Sequence, residues 1–209
     1  MKNKIIKICG IGDAKIAKEA AILGANFIGI VFHPESKRYV NLNQAAKISY
    51  ALKETNALPV AIFVNHTDDE MRNICAATDI QVVQLHGKIA RAHHHMLPNY
   101  YQRIYVQSIL ENGELQADDG LKYLDAERDL ILIDHPDPGK GNMINNTDFH
   151  YDLPYRWLLA GGLTSSNVVA RIHDLQPSGV DVSSGVESFV GNKDIFLIQQ
   201  FITAVRDMP

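Results

Sequence analysis

The sequence is short of cysteine and of basic charge, and both shortages restrict what the protein can be. It has two cysteines, Cys9 and Cys75, among 209 residues, which is too few for a disulfide scaffold. Its formal net charge of −4 provides no basic field for a polyphosphate backbone. We therefore expect a cytoplasmic protein with reduced thiols and without a nucleic-acid partner.

Long apolar runs and linker segments are also lacking. No run approaches the roughly 18 apolar residues that a membrane helix requires. The first residues do not have the charged-then-apolar order of a signal peptide. No segment rich in proline, glycine or serine and no low-complexity tract divides the chain. We therefore expect a soluble protein with no membrane partner, folded as one domain over residues 1–209.

What the sequence does contain is a regular alternation of short apolar runs with longer amphipathic stretches. Eight runs are predicted strands: residues 5–9, 27–32, 60–64, 82–85, 104–106, 130–134, 157–160 and 180–182. Five stretches are predicted helices: residues 14–23, 42–53, 68–77, 165–175 and 194–205. Helical patterns are weaker at residues 89–97, 118–124 and 146–153. The predicted helix caps are Asp13, Asn43, Thr67, Ser165 and Asp194.

Strands that alternate with helices predict parallel pairing with right-handed crossovers. Eight such units favour a single-domain (β/α)8 TIM barrel, with parallel strands inside and helices outside. An open, doubly wound sheet is the alternative. In a barrel the carboxyl ends of all strands meet at one mouth, and polar or glycine residues follow most of the predicted strands. We therefore expect the functional site at that mouth.

The last two predicted strands end in small residues that suit an anion. Gly161 and Gly162 follow the seventh strand, and Ser183, Ser184 and Gly185 follow the eighth. Backbone N–H groups of such loops commonly cradle phosphate in barrels. The alternative is a pair of tight turns. Because the two motifs lie on consecutive strands, we favour a phosphate site.

The first predicted strand brings a thiol to its carboxyl end. Cys9 lies on the same strand face as Lys7, whereas Ile6 and Ile8 lie on the other face. A thiol there is either one wall of an active site or a small buried side chain. If it is catalytic, the charge of Lys7 should favour the thiolate and lower the pKa of Cys9.

Acidic and basic side chains follow other strands. Asp134 closes an apolar run, where a carboxyl group with a raised pKa suits general acid catalysis or caps a loop. Asp181 ends the last strand and competes for the acid role. Arg38, in the loop after the second strand, offers a fork to a substrate carboxylate or is simply a solvated loop residue.

The histidines give little indication of a metal site. Side chains of the consecutive His93, His94 and His95 would point about 100° apart on a helix, so they are poorly placed to share one ion. His86 shares a strand face with Gln84, and this pair more plausibly orients a ligand or backbone. Cys75 lies among apolar residues of a predicted helix and is expected in the core.

Five segments together resemble the phosphoribosylanthranilate isomerase family. They are Lys-Ile-Cys-Gly at 7–10, Phe-Val-Asn at 63–65, Val-Gln-Leu-His-Gly at 83–87, Leu-Ala-Gly-Gly-Leu at 159–163 and Gly-Val-Asp-Val-Ser-Ser-Gly-Val-Glu at 179–187. The resemblance covers nearly the whole chain. It implies a TIM barrel and an isomerase of tryptophan biosynthesis, without a cofactor or metal, that is a monomer or homodimer.

The resemblance also implies roles for single residues. Cys9 would be the general base and Asp134 the general acid of an Amadori rearrangement, and Arg38 would bind the anthranilate portion of the phosphosugar substrate. We expect further substrate contacts from Lys7, Gln84, His86 and Asp181, in addition to the phosphate-binding residues. A different phosphosugar enzyme and a non-catalytic phosphosugar-binding barrel are the alternatives.

Two segments depart from the family pattern. The family has Ser-Pro-Arg after the second strand, and this chain has Ser36-Lys37-Arg38, so the arginine remains but a rigid proline is lost. After the sixth strand the family tends to Gly-x-Gly-Lys followed by Phe-Asp-Trp, and residues 137–150 follow neither pattern closely. The contacts of that loop are therefore not predicted.

Overall fold

The protein is described by a computed structural model. The structure describes residues 4–109, 114–116, 118–134, 149 and 151–208. Within these residues the strands are β1 (Ile5–Cys9), β2 (Phe27–Val31), β3 (Leu58–Phe63), β4 (Val82–Leu85), β5 (Gln102–Ser108), β6 (Leu130–Asp134), β7 (Arg156–Leu159), β8 (Gly179–Val182), β9 (Glu187–Phe189) and β10 (Asn192–Lys193). Its α-helices are α1 (Ala14–Leu23), α2 (Leu42–Leu52), α3 (Asp68–Thr78), α4 (Lys88–His93), α5 (Val168–Leu175) and α6 (Ile195–Arg206).

Strands β1 to β8 pair in chain order, all in parallel, and β8 closes onto β1. The barrel is therefore closed, as predicted, and the open-sheet alternative is wrong. Three predicted strands have the predicted bounds, and each of the others differs by at most two residues at an end. The largest difference is β5, where the polar residues Gln102, Arg103 and Gln107 extend a strand whose apolar run is short.

The barrel has two apolar layers, as strand alternation requires. Ile6 and Ile8 are fully buried between the strands and the helices, which confirms the predicted faces of β1. Side chains such as Val60 and Leu132 fill the barrel interior. Cys9 is packed against the top of this interior layer and is only partly buried. The core therefore supports β1 from below and leaves its last side chain near the mouth.

Helix caps agree with the prediction at Asp13, Thr67 and Asp194. The predicted cap Asn43 is wrong, because α2 begins at Leu42 and its N-cap is Asn41, two residues before Asn43. The predicted cap Ser165 is also wrong, since α5 begins only after Asn167. There the Asn167 amide binds the loop after β7, through Gly162 O at 2.9 Å and Thr164 N at 2.8 Å.

Three predicted helical segments are shorter or absent from the described residues. Residues 89–97 form α4 and a 3₁₀ turn at His94–Met96, and residues 118–124 contain only a 3₁₀ helix at Asp119–Tyr123. The predicted helix at 146–153 lies largely outside the described residues. The β9–β10 hairpin, which follows β8 after a short 3₁₀ turn, was not predicted from the sequence. Within the described ranges, the structure has no helix long and apolar enough to cross a membrane.

Candidate active site

A cavity of about 350 Å³ lies at the carboxyl ends of the barrel strands. Its size is within the range of small-molecule sites. Ten of the twelve residues predicted for the site line it: Cys9, Arg38, Gln84, His86, Asp134, Gly161, Gly162, Asp181, Ser183 and Ser184. Lys7 lies beneath the cavity, and Gly185 lies within the Ser184–Val186 turn next to it. The fold therefore brings residues from six strands to one mouth.

The base of the cavity contains a buried ion pair between adjacent strands. Lys7 and Asp181 are register partners on β1 and β8, and Lys7 Nζ lies 2.8 Å from Asp181 Oδ1. Lys7 is completely buried. Burial by itself lowers the pKa of Lys7, but the Asp181 carboxylate and the Cys9 sulfur outweigh burial and raise it. Lys7 is therefore a fixed cation directly below the thiol.

The pKa of the Cys9 thiol is raised, whereas the sequence predicted that it would be lowered. Burial raises the pKa of Cys9, and Asp181 adds to this effect. The charges of Lys7 and Lys193 act in the opposite direction but do not outweigh burial. The predicted influence of Lys7 thus has the right sign, whereas the predicted net lowering of the pKa is wrong.

Asp134 is the last residue of β6 and lines the cavity. Its register partner on β5 is Ser108. The strand places this carboxyl group at the rim of an apolar interior, because the rest of β6 is fully buried. The raised pKa of Asp134 stays a prediction. His135 and the loop at residues 137–150, which were singled out from the sequence, lie outside the described residues.

Gln84 and His86 share one face of the β4 end, as predicted. Gln84 is buried, and its Nε2 lies 3.4 Å from His86 Nδ1. Burial, with a further effect from Lys7, lowers the pKa of His86 to about 4. His86 is therefore a neutral imidazole at neutral pH. With the amide donating to Nδ1, the proton of that imidazole is on Nε2.

The loops after β7 and β8 fit closely against each other. Gly161 and Gly162 have φ values of 91° and 62°, the left-handed region that glycine adopts most readily. A Cβ atom on Gly185 would lie 1.9 Å from Leu163 O, so only glycine permits this approach. Ser184–Val186 forms a short 3₁₀ helix beside these turns. The loops after β7 and β8 therefore lie against each other, and residues of both line the same cavity.

Arg38 reaches the cavity from the β2–α2 connection. Its guanidinium forms a two-point ion pair with Glu187, with Nε 2.7 Å from Oε1 and Nη2 2.8 Å from Oε2. Lys193 Nζ also lies 2.6 Å from Glu187 Oε1. Glu187 was noted in the sequence only as the end of a motif, and Lys193 was not noted at all. The available signal for Glu187 was an acid close to the Ser-Ser-Gly turn. Lys193 lies in the β9–β10 hairpin, which has no clear sequence signal.

His33 and Ser36 also line the cavity and were not assigned roles from the sequence. Both lie in the polar segment between β2 and α2, so their position after a strand was the available signal. Ser36 Oγ accepts a hydrogen bond from Arg38 N at 3.1 Å, which shapes the loop that carries the arginine. These two residues extend the predicted site around Arg38.

Histidines 93 to 95 do not converge on one point. His93 Nδ1 lies 3.2 Å from Asp68 Oδ1, His94 Nε2 lies 3.1 Å from Gly120 O, and His95 Nδ1 lies 2.9 Å from Ala92 O. Among the residues that the structure describes, no group of three or more His, Cys, Asp or Glu side chains could hold a metal ion. Cys75 is buried in the core, as predicted, and burial raises its pKa to about 12.

Comparison with known proteins agrees with this arrangement. The family model described as N-(5'phosphoribosyl)anthranilate (PRA) isomerase matches residues 6–204. N-(5'-phosphoribosyl)anthranilate isomerase from Chlamydia felis is 36% identical over 202 residues, which cover 96% of each chain. The crystal structure of phosphoribosyl anthranilate isomerase from Thermotoga maritima has 31% identity and a TM-score of 0.77, over 97% of this chain and 98% of that one.

A further solved structure is a phosphoribosyl anthranilate isomerase in complex with reduced 1-(o-carboxyphenylamino)-1-deoxyribulose 5-phosphate. It is 29% identical to this chain with a TM-score of 0.71, over 97% of this chain and 98% of that one. The family match spans nearly the whole barrel, including every strand end that forms the cavity. The chain therefore belongs to the phosphoribosylanthranilate isomerase family, enzymes of tryptophan biosynthesis.

Proposed function

We propose that this enzyme carries out the Amadori rearrangement of N-(5'-phosphoribosyl)anthranilate with Cys9 as general base and Asp134 as general acid. The product is 1-(2-carboxyphenylamino)-1-deoxyribulose 5-phosphate. The observation that supports the proposal is that Cys9 and Asp134, from β1 and β6, line one cavity together with Arg38 and the glycine-rich loops. The rearrangement requires no external oxidant or reductant, because C1′ is reduced as C2′ of the same molecule is oxidised.

The reaction begins with opening of the furanose ring. Asp134 donates its proton to the ring oxygen, the C1′–O bond breaks, and the nitrogen lone pair forms a Schiff base with C1′. The cationic nitrogen makes the C2′ proton acidic. The Cys9 thiolate accepts that proton, the electrons form the C1′–C2′ double bond, and the nitrogen becomes neutral. The resulting enolamine then gains a proton at C1′ and loses the proton of its C2′ hydroxyl to give the ketone.

The Cys9 thiol has to lose its proton before it can act as the base. Because burial raises its pKa, the thiol is largely protonated near neutral pH, and the thiolate is strongly basic when formed. The cation of Lys7 is the nearest group that stabilises the thiolate, and its pair with Asp181 holds it in place. Lys7 and Asp181 are therefore proposed to act on the substrate through Cys9.

The two ends of the substrate carry different charges, and the cavity has a separate region for each. The anthranilate carboxylate is proposed to bind Arg38, which offers a planar fork of N–H donors. The phosphate is proposed to bind the backbone at Gly161 and Gly162 and the turn that begins at Ser183, with Ser184 and Gly185. Gln84 is proposed to hold the neutral His86 with its Nε2–H available as a donor to the sugar.

The proposal is tested by removing the two proton-transfer groups separately. We expect Cys9→Ser and Asp134→Asn each to lower kcat by about 10²–10⁴ while KM changes little, because general acid or base catalysis acts in the transition state. Turnover is measured as the loss of anthranilate-adduct fluorescence after addition of enzyme to freshly made substrate.

Cys75→Ala and Asp119→Asn serve as matched controls, since the first removes the other thiol and the second removes a carboxylate outside the cavity. Both should turn over the substrate at close to the normal rate. A near-normal kcat for Cys9→Ser or Asp134→Asn would remove that residue from its proposed role.

A further inference from the structure

A buried network of charges connects the arginine loop to the end of β8. Arg38 and Glu187 form a two-point pair, and Lys193 binds the same carboxylate 2.6 Å away. The side chains of Arg38, Glu187 and Lys193 are only 14%, 3% and 3% exposed. Arg38 and Lys193 together lower the pKa of Glu187 even though burial acts in the opposite direction. The carboxylate is thus held ionised between two cations.

Lys193 also binds the backbone beside the catalytic thiol. Its Nζ donates to Ser183 O at 2.9 Å and to Ser183 Oγ at 3.2 Å, in addition to Glu187. Ser183 Oγ in turn donates to the carbonyl oxygen of Cys9 at 3.1 Å. An ammonium group has three N–H donors, and these three contacts engage all of them. Lys193 therefore acts on the site through its neighbours and not by contact with substrate.

The pair with Glu187 also fixes the plane of the guanidinium. Arg38 donates from Nε and from Nη2 to the Glu187 carboxylate. Within the described part of the chain, no group accepts a hydrogen bond from Arg38 Nη1. A guanidinium is rigid and planar, so fixing one edge determines the direction of the other N–H groups. Arg38 lines the cavity, and the edge that includes Nη1 is the one that remains to bind a ligand carboxylate.

We propose that Glu187 and Lys193, the two charged residues of the β9–β10 hairpin, are positioning residues that set Arg38 for the anthranilate carboxylate. Glu187 sets the plane of the guanidinium, and Lys193 fixes Glu187 to the β8 end through Ser183. The hairpin therefore links the carboxylate-binding and phosphate-binding regions. This inference rests on the proposed function, because the role of Arg38 as the carboxylate ligand belongs to it.

The first test uses inhibitors that represent each half of the substrate, anthranilate and inorganic phosphate. Glu187→Gln keeps the shape of the side chain but removes its charge and one of the two acceptors for Arg38. We expect KM and the inhibition constant of anthranilate to rise about tenfold, kcat to change less than threefold, and the inhibition constant of phosphate to change less than twofold.

Lys193→Met should weaken both inhibitors, because it releases Glu187 and Ser183 together. Lys193→Arg, which keeps the charge, should recover part of the affinity for anthranilate. Lys37→Met is the matched control, since it removes an exposed cation from the residue next to Arg38. It should leave both inhibition constants within twofold of the starting protein.

A double-mutant cycle separates positioning from a merely structural role. If Glu187 acts through Arg38, then Glu187→Gln has no further effect on anthranilate inhibition once Arg38→Ala is present. Equal, additive losses in the two backgrounds would overturn the inference, and so would a Glu187→Gln protein that binds anthranilate normally. Thermal unfolding checks that each variant is folded. If Glu187→Gln does not fold, the same double-mutant cycle is carried out with Lys193→Met in its place.

Failure of the proposed function gives a different result. In that case Arg38→Ala itself would leave anthranilate inhibition unchanged, or the starting protein would not convert phosphoribosylanthranilate. If Arg38→Ala weakens anthranilate and Glu187→Gln does not, only the positioning inference is wrong.

Discussion

At the scale of single residues, Lys7 has the most direct electrostatic influence on chemistry at Cys9. It is completely buried, paired with Asp181, and its charge opposes the effect of burial on the pKa of the thiol. A cation at this depth is screened little by solvent or salt. Its contribution should therefore appear directly in the titration of Cys9.

We predict that Lys7→Met raises the pKa of Cys9 further and moves the rising limb of the pH profile of kcat/KM to higher pH. The sign follows because loss of the cation disfavours the thiolate and leaves the Asp181 carboxylate, which also disfavours it, without its partner. The activity at pH 7 should fall at least about tenfold, since each unit of pKa changes the thiolate fraction tenfold.

The measurement is the rate of alkylation of Cys9 by iodoacetamide as a function of pH, followed by mass spectrometry. Cys75 is an internal control because it is buried in the core and its own pKa is raised to about 12. Lys15→Met removes an exposed lysine and should leave the midpoint unchanged. A midpoint for Lys7→Met at or below that of the starting protein would show that Lys7 does not support the thiolate.

At the scale of structural elements, the loops after β7 and β8 must approach each other closely to form the proposed phosphate site. The approach depends on Gly185, where a Cβ atom would lie 1.9 Å from the carbonyl oxygen of Leu163 and 3.3 Å from Thr164 Cγ2. Backbone atoms cannot move aside as a flexible side chain can, so the two loops would have to separate. The geometry of the proposed phosphate site therefore depends on the absence of a side chain at Gly185.

We predict that Gly185→Ala raises KM and the inhibition constant of inorganic phosphate at least about tenfold, equivalent to about 1.4 kcal/mol of lost binding. Inhibition by anthranilate should change much less. The control is Gly12→Ala, in the loop after β1, where the added Cβ would make an ordinary contact of 3.7 Å with Val40. Unchanged phosphate inhibition in Gly185→Ala would place the phosphate elsewhere.

At the scale of the whole molecule, buried histidines make stability depend on pH. Burial lowers the pKa of both His86 and His94 to about 4, and His94 is completely buried against Tyr105 with its Nε2 at Gly120 O. In the unfolded chain histidine titrates near 6.5. Between these values the unfolded chain binds more protons than the folded chain, so the free energy of unfolding falls as the pH falls.

We predict that His94→Gln reduces this dependence between pH 6.5 and pH 4. One such histidine contributes on the order of 3 kcal/mol over that interval, and the glutamine cannot take up a proton. Urea unfolding at several pH values measures the slope, which is informative even if the variant is less stable at pH 7. His173→Gln, at a side chain that is 85% exposed, is the control and should keep the original slope.

An equal slope for His94→Gln and the starting protein would contradict the buried, neutral state of His94. The dependence of stability on pH would then come from other groups, such as His86 and the carboxylates. The prediction concerns global unfolding and is independent of the proposed catalytic roles, since His94 lies outside the barrel mouth.

The sequence by itself determined the architecture and most of the polar residues that line the cavity. Period-two and helical apolar patterns are local properties, and they predicted eight strands in parallel order to within two residues. Because a parallel barrel brings all strand carboxyl ends together, the same pattern also predicted which side chains would share one cavity. The family motifs lie at those strand ends, so they supported the same conclusion.

Only the tertiary structure decided how these side chains are paired and charged. Arg38 and Glu187 are 149 residues apart, and Lys7 and Asp181 are 174 apart, so no local pattern indicates either ion pair. The pKa of Cys9 was predicted wrongly because the sequence reveals a neighbouring lysine but not the desolvation of the sulfur by the surrounding barrel, which outweighs the lysine. Lys193 lies in a two-residue strand without periodicity, and it acquires a role only where the hairpin folds back on Ser183. Burial and long-range contacts are properties of the folded chain, and they determine the electrostatics of this site.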